Sequence, residues 1–253
     1  MKLKEKMTDE YLDDLLVRMA HNSTAIEGNT LTQAQTTSIL LHRYISGEMT
    51  ENEYFEVKNY KKAVELLLDN TDIISSELIK NYHKIIMENL ADNNGEYKKN
   101  QNIIVGSNFE PTKPYQVPTS IQEWCDNYNF RIKNAKDDLE KIEIILDQHI
   151  KFEKIHPFSD GNGRTGRMLV IDSCIKEDIP PIIIPKGEKG KYIDILSTEN
   201  IKEFAKWGKE LQDIELDRIK KFHNKEKVQL ISSNNKKIKV KSKVANKDNE
   251  NEF

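Results

Sequence analysis

His156-Pro157-Phe158-Ser159-Asp160-Gly161-Asn162-Gly163-Arg164-Thr165-Gly166-Arg167 is the stretch from which the rest of this chain can be read. It crowds a histidine, a carboxylate, glycines and two arginines into a loop that opens a helix. Gly161 and Gly163 let successive backbone N–H groups converge on an anion with no Cβ in the way. The positive end of the following helix points at the same spot. Arg164 and Arg167 then fall in that helix's first turn, the unfavourable end for cations. The placement makes sense when a strongly negative ligand, such as a polyphosphate, occupies the loop. Asp-Gly-Asn-Gly alone is a common turn sequence. An EF-hand needs oxygen ligands at alternate positions, and Arg164 stands where the third belongs. A Walker A loop needs Gly-Lys-Ser/Thr after its glycines, which is absent here. The conjunction of a base, a metal-capable carboxylate, glycines and arginines favours an anion site over any of these.

Outside this stretch the composition is that of a helical protein with a modest core. The chain has 253 residues, 32% charged and 37% hydrophobic, with a formal net charge of −3. That charge gives no global basic field and argues against nucleic acid as a partner. No apolar run reaches the length of a membrane span, and the lysine-rich Met1–Met7 segment lacks the apolar region of a secretory leader. Cys125 and Cys174 stand alone, without metal or redox spacing, and suit a reducing compartment. The expectation is a cytoplasmic protein.

Periodicity divides the chain into a helical N-terminal region (1–70), a catalytic-type domain (75–222) and a lysine-rich flexible tail (224–253). Thr8 is a candidate cap for a helix over about 9–28, with Leu12, Leu15, Leu16, Met19, Ala20, Ser23 and Ile26 at helical spacing and Gly28 as the stop. At ~100° per residue Glu27 falls within about 20° of Leu16 on the wheel. A glutamate on that buried stripe needs a cation or hydrogen-bond donors, or else a proton. Further helices are expected from Thr32 to Gly47, Asn52 to Leu68, and from Ser75 or Ser76 through Leu90. Ile103-Ile104-Val105 and Tyr115-Gln116-Val117, separated by Gly106, Pro111 and Pro114, predict one small β-hairpin over 103–117. Helical periodicity returns over 120–132, 139–155, from the anion loop to Lys176, over 192–196, and from Ile201 to about Phe222. In the tail, lysines alternate with Ile238, Val240 and Val244, a pattern open to a charged edge strand or to disorder.

The segment 156–167 matches the His-Pro-Phe-x-Asp-Gly-Asn-Gly-Arg-x-x-Arg signature of the Fic (Fido-domain) proteins, and the resemblance extends from roughly Glu77 to Leu211. It implies a mainly α fold of Fido type, a helical bundle with the hairpin as a flap. It implies transfer of AMP from ATP to a Ser, Thr or Tyr hydroxyl of a target protein. His156 is then the base, suited to neutral pH by its ordinary pKa near ~6.5. Asp160 holds Mg²⁺ (or Mn²⁺) against the phosphates. Gly161, Asn162 and Gly163 form the anion turn, Asn162 adding its side-chain amide, while Arg164 and Arg167 bind phosphates. Gly163 favours nucleotidyl transfer, because a branch of the family with lysine there acts as a kinase. Tyr192 and Asn200 correspond to residues around the adenine and ribose, although Ile193 replaces a second tyrosine common in the family. Val105, Gly106, Ser107 and Asn108 would lie over the nucleotide, and the flap would align the target by strand addition.

Ser23-Thr24-Ala25-Ile26-Glu27-Gly28 also resembles the Ser/Thr-x-x-x-Glu-Gly/Asn motif of family members with an N-terminal inhibitory helix. By that resemblance Glu27 pairs with Arg167 and denies it to the γ-phosphate, Ser23 helps hold the helix, and the same glutamate could serve de-AMPylation. Homodimers are frequent in such proteins. The alternatives are a Fido enzyme using UTP or a phosphocholine donor, and a non-catalytic nucleotide-binding module.

Overall fold

The computed structural model describes residues 3–45, 47–69, 73–102 and 109–248, with side chains to Lys227 except that of Lys4. Among them the architecture is helical. In chain order the helices are α1 (Asp9–Glu27), α2 (Gln33–His42), α3 (Glu51–Asp69), α4 (Ser76–Ile86), α5 (Val117–Lys133), α6 (Asp138–Ile155), α7 (Asn162–Lys176), α8 (Lys189–Thr198) and α9 (Ile201–Asp248).

Local signals explain most of the boundaries. The Thr8 hydroxyl accepts the Tyr11 N–H at the start of α1, and Gly28 closes it in the left-handed region at φ 111°, where glycine alone is unstrained. Thr32 and Gln35 form a reciprocal capping box on α2. That helix stops at Arg43, short of Gly47, because Arg43 itself adopts the left-handed conformation (φ 52°). Ser75 caps α4 and Asp137 caps α6. Each such oxygen satisfies one of the orphan N–H groups of a first turn and is worth about 1 kcal/mol.

Helix α6 is the central element, packed against α5, α7 and α9, while α1 lies across α2, α3, α7 and α9. Leu146, Phe152, Phe158, Ile142 and Phe204 are fully buried there, as are Tyr11, Tyr60 and Tyr82. Fully removing such side chains from water stabilises the bundle by roughly 1.5–3 kcal/mol each. The consequence for the site is positional. The C-terminus of α6 and the N-terminus of α7 flank the 156–161 loop, and α1 ends against α7.

Two expectations change. No strand occurs among the described residues. Tyr115 and Gln116 lie in a 3-10 turn (Pro114–Gln116), and Val117, 0% exposed, begins α5. The reason is Pro114 and Pro118, whose fixed φ and missing N–H suit the first turn of a helix and suit a strand ladder badly. The hairpin's other arm, Ile103–Val105, lies outside the described residues, as do Gly106, Ser107 and Asn108. The second change is at the C-terminus: the backbone of α9 is helical through Asp248, well past Phe222 and across the segment read as a flexible tail or edge strand. Loss of an apolar stripe does not end a helix by itself when lysine, glutamate and glutamine, all good helix formers, continue it.

Candidate functional site

His156 stands at the C-cap of α6 in the left-handed conformation, φ 49° and ψ 61°. A non-glycine residue there carries strain, and the conformation turns the chain sharply from α6 into the loop. The ring's Nδ1 lies 3.2 Å from the Glu153 carbonyl. A carbonyl can only accept, so Nδ1 carries the hydrogen and Nε2 is left with its lone pair. Burial lowers the His156 pKa, the Glu153 carbonyl opposes that, and Lys98 lowers it further. The ring is therefore neutral at pH 7 and able to accept a proton at Nε2.

The loop that follows is braced from several sides. Asn162 accepts the Phe158 N–H (2.8 Å) and donates back to the Phe158 carbonyl (2.9 Å). Its amide is thus engaged by the loop itself, where the sequence had suggested a contact to an anion. His83 of α4 was not singled out from sequence and is the main outside support. Its Nδ1 accepts the Gly95 N–H (2.8 Å), so Nε2–H donates to the Asp160 carbonyl (3.0 Å). Burial pushes its pKa down to about 4, and its ring stacks on Phe158 with centroids 3.7 Å apart. The signal was available: His83 lies on the same stripe of α4 as the buried Ile79, Tyr82 and Ile86. Gly161 sits at φ 73°, and a Cβ there would approach the Met87 sulfur to 2.5 Å, so both backbone geometry and space demand glycine.

Asp160 projects outward, its side chain 72% exposed. One oxygen accepts the Gly161 N–H (2.6 Å) and the other accepts from Arg164 (3.2 Å). An exposed carboxylate with lone pairs to spare suits Mg²⁺ held by one protein ligand, waters and substrate oxygens. Among the described residues no cluster of three or more metal-ligating side chains occurs.

The two arginines have different partners. Arg164, side chain 5% exposed, donates to Glu56 of α3 (3.0 Å) as well as to Asp160, and its Nε has no partner. Glu56 was missed from sequence because nothing local marks it. Arg167 donates from Nε to the Ser23 hydroxyl (2.9 Å), and from Nη2 to the Ser23 carbonyl (3.0 Å) and to the Glu27 carboxylate (2.6 Å). Ser23 in turn accepts from the Tyr60 hydroxyl of α3. Burial raises the Glu27 pKa, but the Arg167 guanidinium outweighs it and holds the carboxyl below its ordinary range. Gly163 makes the contact sterically feasible: a Cβ would lie 2.5 Å from Glu27 Oε1 and 2.9 Å from Arg167 Nη1. Glu27 thus rests against the first turn of α7, where the helix dipole and free N–H groups favour a negative charge.

These groups border a cavity of ≈ 300 Å³. Glu27, Glu153, His156, Gly163, Arg167 and Tyr192 form its polar end, and Ile26, Phe109, Ile150, Ile193 and Leu196 supply apolar surface. Tyr192 is buried, bonds to His149 Nε2 (2.7 Å), and backs the Arg167 guanidinium at 5.9 Å. Asn200 is not among the residues bordering the cavity. It caps α9 by accepting the Glu203 N–H and donating to the Glu203 carboxylate. The loop, His156, both arginines, Ser23 and Glu27 converge on one place; Asn200 does not join them there.

The cavity thus joins a neutral histidine, an arginine and the first turn of α7 to a mostly apolar wall. Residues 73–172 match the Fic/DOC family, and this part of the chain is a Fic/DOC-family domain. The protein adenylyltransferases Fic of Drosophila willistoni and Drosophila melanogaster are each 30% identical over 184 residues, covering 71% of this chain and 36% of theirs. The chain thus spans just over a third of the length of these relatives. Among solved structures, a Fic domain-containing signaling protein from Bacteroides thetaiotaomicron superposes with a TM-score of 0.67 at 27% identity, covering 73% of this chain and 71% of that one. Fic-1 of C. elegans (residues 134–508, E274G) superposes with a TM-score of 0.70 at 26% identity, covering 86% and 64%.

Proposed function

We propose that this protein is a protein adenylyltransferase that moves AMP from ATP to a hydroxyl side chain of a target protein or of itself, and that Glu27 restrains it. The observation that carries this reading is the arrangement of His156. Its Nδ1 is committed to a backbone carbonyl, leaving Nε2 as an acceptor on the cavity that also holds Arg167 and the first turn of α7.

In this reading the hydroxyl oxygen attacks the α-phosphorus, its proton passes to His156 Nε2, and the bond to the β-phosphate oxygen breaks with pyrophosphate leaving. Nucleotidyl transfer needs charge neutralisation and alignment more than covalent help. Arg167 and the α7 N-terminus supply part of that positive charge. Arg164, tied to Glu56 and Asp160, holds the Asp160 carboxylate in place and keeps donors over for phosphate. Asp160 would hold Mg²⁺, which when bound neutralises phosphate charge. Tyr192 and the aliphatic wall of Ile150, Ile193 and Leu196 offer a surface for the base. The target and its docking on the 103–117 segment, a homodimer, and removal of AMP are further parts of the reading that rest on family resemblance.

While Glu27 holds Arg167, the γ-phosphate has lost its cation, and ATP binds without the alignment that transfer needs. Incubation with α-³²P-labelled ATP and Mg²⁺ tests this. Wild type should label weakly, Glu27→Gly strongly, and Glu27→Gly combined with His156→Ala should fall by roughly 10²–10⁴-fold, the usual contribution of a general base. Equal labelling with and without His156 would overturn the assignment of the base. Labelling by UTP in preference to ATP would move the donor class.

A further inference from the structure

Glu153 plays no part in the mechanism above, yet it borders the same cavity as Glu27, His156 and Arg167. Its side chain is 13% exposed, and its Oε1 is sealed from solvent with no hydrogen-bond partner. His149 Nε2 is 4.0 Å away and already engaged by the Tyr192 hydroxyl at 2.7 Å. Arg167 is the obvious cation, but its bonds go to Ser23 and Glu27. Two acids therefore face one guanidinium, and Glu27 has taken it.

A carboxylate with one oxygen sealed away from any donor is costly, and the group relieves the cost by taking a proton. The charged neighbours point the same way. On α7 stands Arg167, on α1 Glu27, on α8 Tyr192 and Lys189, and on α6 itself His149, Lys154 and His156. Lys154 is paired with Glu199 at 2.5 Å, and burial lowers the His149 pKa to about 3, so that ring is neutral. Burial raises the Glu153 pKa to about 7; Arg167 opposes the rise and Glu27 adds to it.

We propose that Glu153 is a nucleotide-binding residue that acts as a neutral acid, donating its O–H to an anionic oxygen of the ligand beside Arg167, so that binding takes up a proton. The inference rests on the nucleotide reading given above. An ionised Glu153 would repel phosphate across the cavity, whereas the protonated acid adds a donor there. An arriving polyphosphate carries more negative charge than the Glu27 it displaces, so it strengthens the hold on that proton.

The test uses the 253-residue chain carrying Glu27→Gly, where Glu27 no longer competes, titrated calorimetrically with ATP between about pH 6 and 9 in buffers of different ionisation enthalpy. The expected result is net proton uptake approaching one per ATP above neutral pH, with Kd rising by up to about tenfold per pH unit. ATP's own titration contributes equally in every variant, so the comparison is with Glu27→Gly, Glu153→Gln. The glutamine is neutral at all pH and still donates, so the additional uptake and slope should vanish while affinity below pH 7 stays within about threefold. If the Glu153-bearing chain takes up no more protons than ATP itself accounts for, the inference is wrong, whatever the glutamine variant does. If ATP fails to bind at any pH, the nucleotide reading fails instead.

Discussion

The two ends of α1 are held in contrasting ways. At its C-terminal end Glu27 reaches one cation, Arg167, through a single 2.6 Å ion pair, and the glutamate remains 36% exposed. At the other end Glu215 of α9, its side chain 5% exposed, accepts from Tyr11 (2.7 Å) and from both terminal nitrogens of Arg18 (2.8 and 2.7 Å). Asp14 ties in through Arg18 (2.7 Å) and Arg218 (3.2 Å). The α9 end is a multidentate, mostly buried network, which is costly to break because each removal leaves a charge unpaired. At the Arg167 end the two bonds to Ser23 are buried, and the Glu27 ion pair is the part that lies at the cavity rim, where a phosphate can replace it with a better partner. The difference teaches that α1 need not leave the bundle for Glu27 to yield: its anchor is at one end and its restraint at the other.

Breaking the restraint should have the largest effect on activity. Glu27→Gly is expected to raise self-labelling by roughly 5- to 150-fold, the usual span of coupling between two sites, with little change in thermal midpoint because the lost carboxylate is partly exposed. Breaking the anchor should reverse that balance. Glu215→Gln removes a buried charge facing Arg18 and should lower the midpoint by several degrees, at roughly 2–4 °C per kcal/mol for a domain of this size. Labelling should rise far less than in Glu27→Gly. Equal labelling in the two variants would show that anchor and restraint are one device. The smallest effect belongs to Glu10→Ala: Glu10 meets Lys225 at 2.7 Å, but both are more than half exposed. Such a pair is worth ~0–1 kcal/mol, so neither labelling nor melting should move measurably. A clear destabilisation there would mean that α9 grips α1 over a longer span than Glu215.

One side of this contrast was legible in the chain beforehand, and the Glu215 network was not. Helix α1 and both of its caps follow from Thr8, the apolar stripe and Gly28, and the position of Glu27 on that stripe already required a partner. What was not legible is instructive. The roles of Glu56 and Glu153 depend on side chains brought from α3 and α6 towards α7, and no local pattern marks such meetings; His83 showed its burial on the α4 stripe but not its partner. Asn162 looked like a ligand donor because loop amides often are, but a buried loop needs its own backbone satisfied first. Asn200 sits where resemblance places a ribose contact and instead caps α9, since an exposed asparagine before a helix has a ready local partner. Val117 looked like a strand residue because β-branching reads as strand, until the flanking prolines decided for a helix.

By itself the sequence determined much of the local chemistry: that the chain is helical, where α1 starts and stops, and that residues 156–167 make a glycine-turned loop at a helix N-terminus. Those outcomes depend on φ preferences, capping and periodicity, all short-range. Only the tertiary structure decided which charges face which. Arg167 goes to Glu27 and Ser23, Arg164 to Glu56 and Asp160, and Glu153 to neither arginine, because the packing of α1, α3 and α6 around α7 allots two guanidinium groups among more acids than they can satisfy.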